Sequence, residues 1–212
     1  DWFHFTGITP ALGEKAAAAC MAAAKTARKL KIPVSCDLNY RKNLWSKAEA
    51  QAVMTDLVKN VDVCIANEED AADVFGIRAS NTDISGGKLD YAGYKSVAGQ
   101  LADKFGFSKV AITLRESLSA FDNNWAAMLY DGKEYCFSKK YAVHIVDRVG
   151  GGDSFGAGLI YALLNGYGSQ DAVEFAAAAS CLKHSIEGDF NMVTVDEVQK
   201  LAGGDGSGRV QR

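Results

Sequence analysis

Four short, nearly unbroken apolar runs recur along the first half of this sequence: Trp2–Ile8, Val34–Leu38, Val61–Ala66 and Val110–Leu114. Each ends close to a turn or a polar stop. Between them lie stretches of helical periodicity, at about Gly13–Leu30, Ala48–Asn60 and Ala92–Phe105. A strand that is apolar at nearly every position has no face to offer water, so it belongs inside a mostly parallel sheet with helices on both faces. The expected class is therefore α/β. After Leu114 the pattern changes. Ala120–Leu129 and Lys133–Phe137 flank Tyr130-Asp131-Gly132-Lys133, whose central Asp-Gly predicts a hairpin, and Ala142–Val146 reads as another strand. Antiparallel strands are thus expected at one edge of the sheet. Helices follow at about Asp153–Leu164 and Gln170–Ser185, and a third starts near Thr194, where Thr194-Val195-Asp196-Glu197 is a capping box. With no internal repeat and no linker, the 212 residues read as a single domain, 1–212. The tail from Gly203 to Arg212 is rich in Gly and expected to fray.

Composition excludes some partners. The net charge is −3 with acidic and basic residues interspersed, whereas a nucleic-acid footprint needs a basic patch or stripe. The longest uncharged helical run, Ala16–Ala24, falls far short of the ~20 residues that span a bilayer. Neither nucleic acid nor membrane is expected as a partner. Cys20, Cys36, Cys64, Cys136 and Cys181 are dispersed without a Cys-x-x-Cys pair, which suits buried thiols in a reducing, cytoplasmic setting. The opening Asp1-Trp2-Phe3-His4-Phe5 reads as a buried strand with no polar lead-in, so the chain is expected to begin inside a larger protein.

The chemistry concentrates in Asp147-Arg148-Val149-Gly150-Gly151-Gly152-Asp153-Ser154-Phe155-Gly156-Ala157-Gly158. Here a strand ends, three glycines turn, and a helix starts. Consecutive glycines let backbone N–H groups converge, and the helix start adds its positive dipole end. Such a nest suits an anion, most often a phosphate. Asp153 has two readings at this point. It can cap the helix. Alternatively, it can take the proton of an attacking hydroxyl while the nest holds a transferring phosphoryl group. Competing motifs fail on spacing: no start among these glycines fits Gly-x-Gly-x-x-Gly, and the sequence contains no Gly-Lys-Ser/Thr. His4, His144 and His184 have no metal-ligand spacing and read as structural.

Gly150-Gly151-Gly152-Asp153, preceded by Asp147 and followed by Phe155 and Gly158, resembles the C-terminal motif of the PfkB (ribokinase-like) carbohydrate kinases. The wording Val146 to Phe155 is similar to the 2-keto-3-deoxygluconate kinases within that family. The likeness continues through Asp37-Leu38-Asn39-Tyr40-Arg41 with Leu44-Trp45, Asn67-Glu68-Glu69-Asp70, Ala111-Ile112-Thr113-Leu114-Arg115-Glu116, and Gly188-Asp189-Phe190-Asn191. Several motifs in one order are far more specific than any one of them.

The resemblance implies roles residue by residue. Asp153 becomes the catalytic base, with the N–H groups of Gly150, Gly151 and Gly152 as the anion hole. Asp37, Asn39 and Arg41 follow a strand end, where α/β proteins place ligand contacts, and Arg41 is implied to grip a sugar-acid carboxylate. The family pattern Asn-x-x-Glu organises Mg²⁺ through water and phosphates. Here it reads Asn67 and Asp70, with Glu69 as a substitute; an acidic first helical turn is the plainer reading. Thr113 and Arg115 are implied to face the nucleotide phosphates and ribose, though Arg115 can instead pair with Glu116. Asp147 and Ser185–Asp189 match places where many relatives bind a monovalent cation, with Arg148 standing where Thr or Ser is usual. Ala179, His184 and Asn191 are implied to wall an adenine pocket, while the alanines also permit close helix packing.

The implied function is ATP- and Mg²⁺-dependent phosphorylation of a sugar acid, 2-keto-3-deoxygluconate first. Another member acting on fructose, ribose or a nucleoside would have less use for Arg41, and a truncated nucleotide-binding remnant would have none for Asp153. Complete members carry N-terminal strands, a Gly-containing sugar site and a β-lid. None of that precedes Asp1, so those strands and the lid are expected to be absent. The lid often mediates dimerisation in relatives, which leaves a homo-oligomer as one option.

Overall fold

A computed structural model of the chain describes residues 1–67, 69–78 and 91–204. Two compact units form. The first comprises residues 1–114 and 128–136, the second 115–127 and those from 137 onward.

In the first unit, β1 (Phe3–Thr6), β2 (Val34–Asp37), β3 (Val63–Ala66) and the start of β4 (Lys109–Ser117) run parallel in sequential order. The helices α1 (Ile8–Ala11), α2 (Glu14–Lys29), α3 (Lys47–Leu57), α4 (Asp70–Phe75) and α5 (Tyr91–Phe105) lie between them in the chain, and a 3₁₀ turn at Val58–Asn60 extends α3. Register aligns Phe5 with Cys36, Cys36 with Cys64 and Cys64 with Val110, a row of buried side chains across four strands. This row explains two of the cysteines: both are fully buried free thiols, and burial pushes each well above the ordinary thiol range.

The apolar run Trp2–Ile8 is not all strand. β1 stops at Thr6 because Gly7 donates its N–H to Asp37 O (2.8 Å) and packs so tightly that a Cβ there would sit 2.0 Å from Leu38 O. The hairpin forms as the Asp-Gly predicts, between β5 (Asp122–Tyr130) and β6 (Tyr135–Phe137), with Gly132 at φ +88°. Its second strand starts later than the apolar pattern suggests, since the Asp131 carboxylate accepts the N–H groups of Lys133 and Glu134 (3.0 Å each) and widens the turn.

In the second unit β7 (Tyr141–His144) pairs antiparallel with β5, Trp125 opposite Tyr141. The whole strand order is β1-β2-β3-β4-β5-β6, with β7 on β5. Three helices follow: α6 (Gly151–Leu164), α7 (Ser169–Lys183) and α8 (Val195–Ala202). The capping box of α8 is formed in both directions, Glu197 N to Thr194 Oγ1 and Thr194 N to Glu197 Oε2. Helix α6 begins at Gly151 rather than Asp153. Among the described residues no helix is long and apolar enough to cross a membrane. Tail residues 205–212 lie outside those described.

Candidate functional site: the nest at the start of α6

Gly150 is the N-cap of α6, left-handed at φ 79°, ψ −1° and with no side-chain cap. Only glycine fits: a Cβ there would lie 2.2 Å from Asp189 O and 3.2 Å from Lys183 Cε. At Gly151 a Cβ would meet the His184 ring at 2.7 Å, whereas at Gly152 it would meet nothing within 4 Å. The first two glycines are thus required by the protein's own packing, and the third leaves open space. Gly151 donates weakly to Arg148 O (3.4 Å), and Ser154 N closes the first helical bond on Gly150 O (2.8 Å). The N–H groups of Gly152 and Asp153 point out of the helix start with no acceptor among the described residues. Outward N–H groups at a helix start are chemistry that suits an oxyanion.

Asp153 lies in the first turn of α6, exposed, and its carboxylate takes no hydrogen bond or ion pair among the described residues. The capping reading of Asp153 therefore fails, because the cap position belongs to Gly150. Asp153 also lines a pocket of about 340 Å³, within the size range of small-molecule sites. Its walls include Gly158 of α6, Phe175 and Ala179 of α7, and Asn191. Asn191 is fixed by donating Nδ2 to Ala179 O (3.2 Å). The small residues do pack helices closely, since a Cβ on Gly158 would meet Ala176 Cα and Ala179 Cβ at 3.1 Å. His184 is not part of this lining.

Instead the His184 ring lies buried under Gly151 and 4.8 Å from the Trp125 ring, its Nδ1 2.7 Å from Ser180 O. Facing a carbonyl, Nδ1 must carry the proton. Burial pushes the imidazole below its ordinary range, so the ring stays neutral as a support for the nest. Ser180 adds a buried bond, Oγ to Gly151 O at 2.7 Å. Asp147 holds the other side. Its carboxylate accepts Val149 N and Gly188 N (2.9 Å each), and these bonds keep it below the usual carboxylate range.

In the first unit the structure brings together Asn67, Asp70 and the loop after β2. Asn67 Oδ1 accepts Glu69 N (2.8 Å) and Asp70 N (2.9 Å), while Asp70 accepts Asn67 N (3.2 Å) and Tyr40 N (3.0 Å). Burial pushes the Asp70 carboxyl up, against those two N–H bonds and the charge of Arg41. Asp70 thus ties the Asp37–Arg41 loop to the start of α4. Asp70→Ala, which orphans two backbone N–H groups, should cost about 2 kcal/mol in urea denaturation. Within that loop Asn39 is left-handed (φ 36°) and donates Nδ2 to Thr6 Oγ1 (3.2 Å); Asp37 is half-buried and Arg41 exposed.

Thr113 is half-buried in β4. Arg115 does not pair with Glu116, whose carboxylate accepts Asn124 Nδ2 (2.8 Å) and Lys140 Nζ (3.1 Å). The exposed Arg115 makes no ion pair among the described residues. Among those residues no three His, Cys, Asp or Glu cluster to hold a metal. Mg²⁺ ordinarily keeps several waters and takes one or two carboxylates plus substrate phosphates, and in the first unit the exposed Glu69 beside the partly bonded Asp70 is a donor pair of that kind.

Sequence reasoning passed over Gly7, Ser180 and Lys183. Lys183 left a signal: it stands four residues after Ala179 and seven after Ala176, on the buried stripe of α7.

What the fold and the second unit define is an α/β protein whose helix α6 opens with two outward N–H groups. The model of the pfkB family of carbohydrate kinases matches residues 1–196, and the chain belongs to that family. It is 31% identical over 204 residues to a 2-dehydro-3-deoxygalactonokinase of Haloferax volcanii, covering 96% of this chain and 58% of that protein. Among solved structures it is similar to a 2-dehydro-3-deoxygluconokinase of Thermotoga maritima, with 49% identity, a TM-score of 0.90, and coverage of 96% of this chain and 60% of the other. A PfkB family carbohydrate kinase of Listeria grayi is 32% identical at a TM-score of 0.82, covering 94% and 59%. The α/β, ribokinase-like fold expected from the sequence is therefore found. The chain spans between 58% and 60% of the length of these relatives.

Proposed function

We propose that this chain is the ATP-binding and catalytic domain of a kinase that phosphorylates a hydroxyl of a 2-keto-3-deoxy sugar acid, with 2-keto-3-deoxygluconate as the first candidate. One observation carries the reading: an exposed Asp153 carboxylate, without a partner among the described residues, stands beside two outward N–H groups, on the wall of a pocket sized for a small molecule. A carboxylate next to an anion seat repels the anion unless a proton passes to it.

The nucleotide base is assigned to the pocket of Gly158, Phe175, Ala179 and Asn191, and the γ-phosphate to the N–H groups at Gly150–Asp153. Asp153 accepts the acceptor hydroxyl's proton as its oxygen bonds to the γ-phosphorus and the bond to the β,γ-bridging oxygen breaks, releasing ADP. His184 serves the nucleotide indirectly, by holding Gly151. Thr113 and the unpaired Arg115 are assigned to the phosphates and ribose. Mg²⁺ bound with the nucleotide would supply positive charge to the phosphate oxygens; Asp70 and Glu69 of the first unit, and Asp147 of the second, are the candidate carboxylates. Arg41 is assigned to the carboxylate of the sugar acid, with Asp37 and Asn39 to its hydroxyls. Arg41→Ala should therefore raise KM for the acid about tenfold or more and leave KM for ATP unchanged.

The test is coupled ADP release with Mg-ATP and 2-keto-3-deoxygluconate, 2-keto-3-deoxygalactonate, fructose or ribose. It is run on this chain and on a form extended to the relatives' length. Turnover on a 2-keto-3-deoxy acid supports the reading. Activity on fructose or ribose alone keeps the mechanism and overturns the substrate. Bound ATP with no turnover on any sugar leaves a nucleotide-binding remnant.

A further inference from the structure

Lys183, the last residue of α7, is fully buried. Its Nζ donates to Ile186 O at 3.0 Å, and no carboxylate lies within ion-pair distance among the described residues. An ammonium has three donors, and a charge removed from water is costly unless something compensates it. Its location is informative. The stem passes under the nest, with Cε 3.2 Å from where a Cβ on Gly150 would be. Three hydrogen bonds latch the segment that Lys183 holds onto the strand end before the nest: Val146 N and Asp147 N to His184 O (2.8 and 3.3 Å) and Gly188 N to Asp147 Oδ2 (2.9 Å). Asp189 O, on the same segment, crowds Gly150. A single buried cation therefore sits where the strand end, the α6 start and the 184–189 segment converge.

We propose that Lys183 is a positioning residue for the phosphate end of the nucleotide, a built-in cation beneath the nest. The inference rests on the kinase reading above. The ammonium braces the 184–189 segment through Ile186 O and lends positive potential to the N–H groups of Gly152 and Asp153. A bound polyphosphate supplies the negative charge that the ligand-free interior lacks. Asp147, whose two oxygens are taken by N–H groups of the same two segments, balances only part of that charge.

The proposal separates phosphate binding from folding. Lys183→Met keeps length and volume but removes the charge. Calorimetric titration would measure ATP, inorganic tripolyphosphate and adenosine against the wild type and this variant. Expected are affinities for ATP and tripolyphosphate about 10–100-fold weaker, as for loss of a charged partner, and an unchanged affinity for adenosine. Thermal stability without ligand should stay close to the wild type's, since relief of the buried charge offsets the lost bond to Ile186 O. Lys183→Arg, which keeps the charge, should recover part of the ATP affinity. Equal losses for adenosine and ATP would make Lys183 merely structural and overturn the proposal, as would unchanged ATP binding. If neither Lys183→Met nor Lys183→Gln folds, the proposal also falls, because a charge held for phosphate is dispensable to the ligand-free fold. A wild type that binds neither ATP nor tripolyphosphate sinks the kinase reading along with it.

Discussion

Asp153→Asn should lower turnover by about three orders of magnitude, the middle of the range for a general base, while ATP affinity holds or improves. The substitution is nearly isosteric, and its consequences can be bounded. Asp153 is exposed and makes no side-chain bond among the described residues, so no packed contact or network is broken. What the fold loses is one favourable charge in the first turn of α6, about 0.5 kcal/mol, or a degree or two in melting temperature. The amide cannot take the hydroxyl proton. It also removes a negative charge beside the phosphate seat, which is why ATP should bind as well or better. Single-turnover ADP release against equilibrium dialysis of ATP separates the two effects. Turnover within tenfold of wild type would show that Asp153 is not the base, and lost ATP binding would mean that it holds the ligand instead.

The sequence was most legible where burial acts on every residue of an element. β1 to β4 are readable because strands covered on both faces leave unbroken apolar runs, and the row from Phe5 through Cys36 and Cys64 to Val110 is the physical content of that pattern. Local hydrogen-bond chemistry was equally readable: the Thr194–Glu197 box and the Asp131-Gly132 turn each complete themselves within a few residues. The helix at the nest was misplaced by two residues. Gly151 and Gly152 have poor helix propensity, and only a left-handed Gly150 lets the helix start before Asp153. Pairings across many residues were hidden too. Arg115 and Glu116 are chain neighbours, yet Glu116 is claimed by Lys140, 24 residues away. Asp70 looked like a free acid in a first turn. Its bond to Tyr40 N, 30 residues earlier, exists only because two parallel strands end side by side.

The triple glycine gives the sharpest remaining test, because its members are glycine for different reasons. Gly150→Ala forces a side chain into a left-handed residue, at about 1 kcal/mol or more, and sets a methyl 2.2 Å from the Asp189 carbonyl oxygen. That oxygen belongs to backbone and cannot step aside alone, so the 184–189 segment or the α6 start must shift, adding about 1–3 kcal/mol. The variant should melt several degrees lower and lose turnover at least about 100-fold, since a displacement of about 1 Å at a reacting centre has that effect. Gly152→Ala is the contrast. Its Cβ meets nothing of the protein within 4 Å, and its backbone is helical, so stability should hold or rise by a few tenths of a kcal/mol. If the open space above Gly152 is where the γ-phosphate rests, the same methyl should weaken ATP binding about tenfold or more by excluding the oxyanion from the outward N–H groups. Scanning calorimetry with ATP titration distinguishes the pair. A stable Gly152→Ala variant that binds ATP like the wild type would move the phosphate away from this helix start, and the kinase mechanism with it.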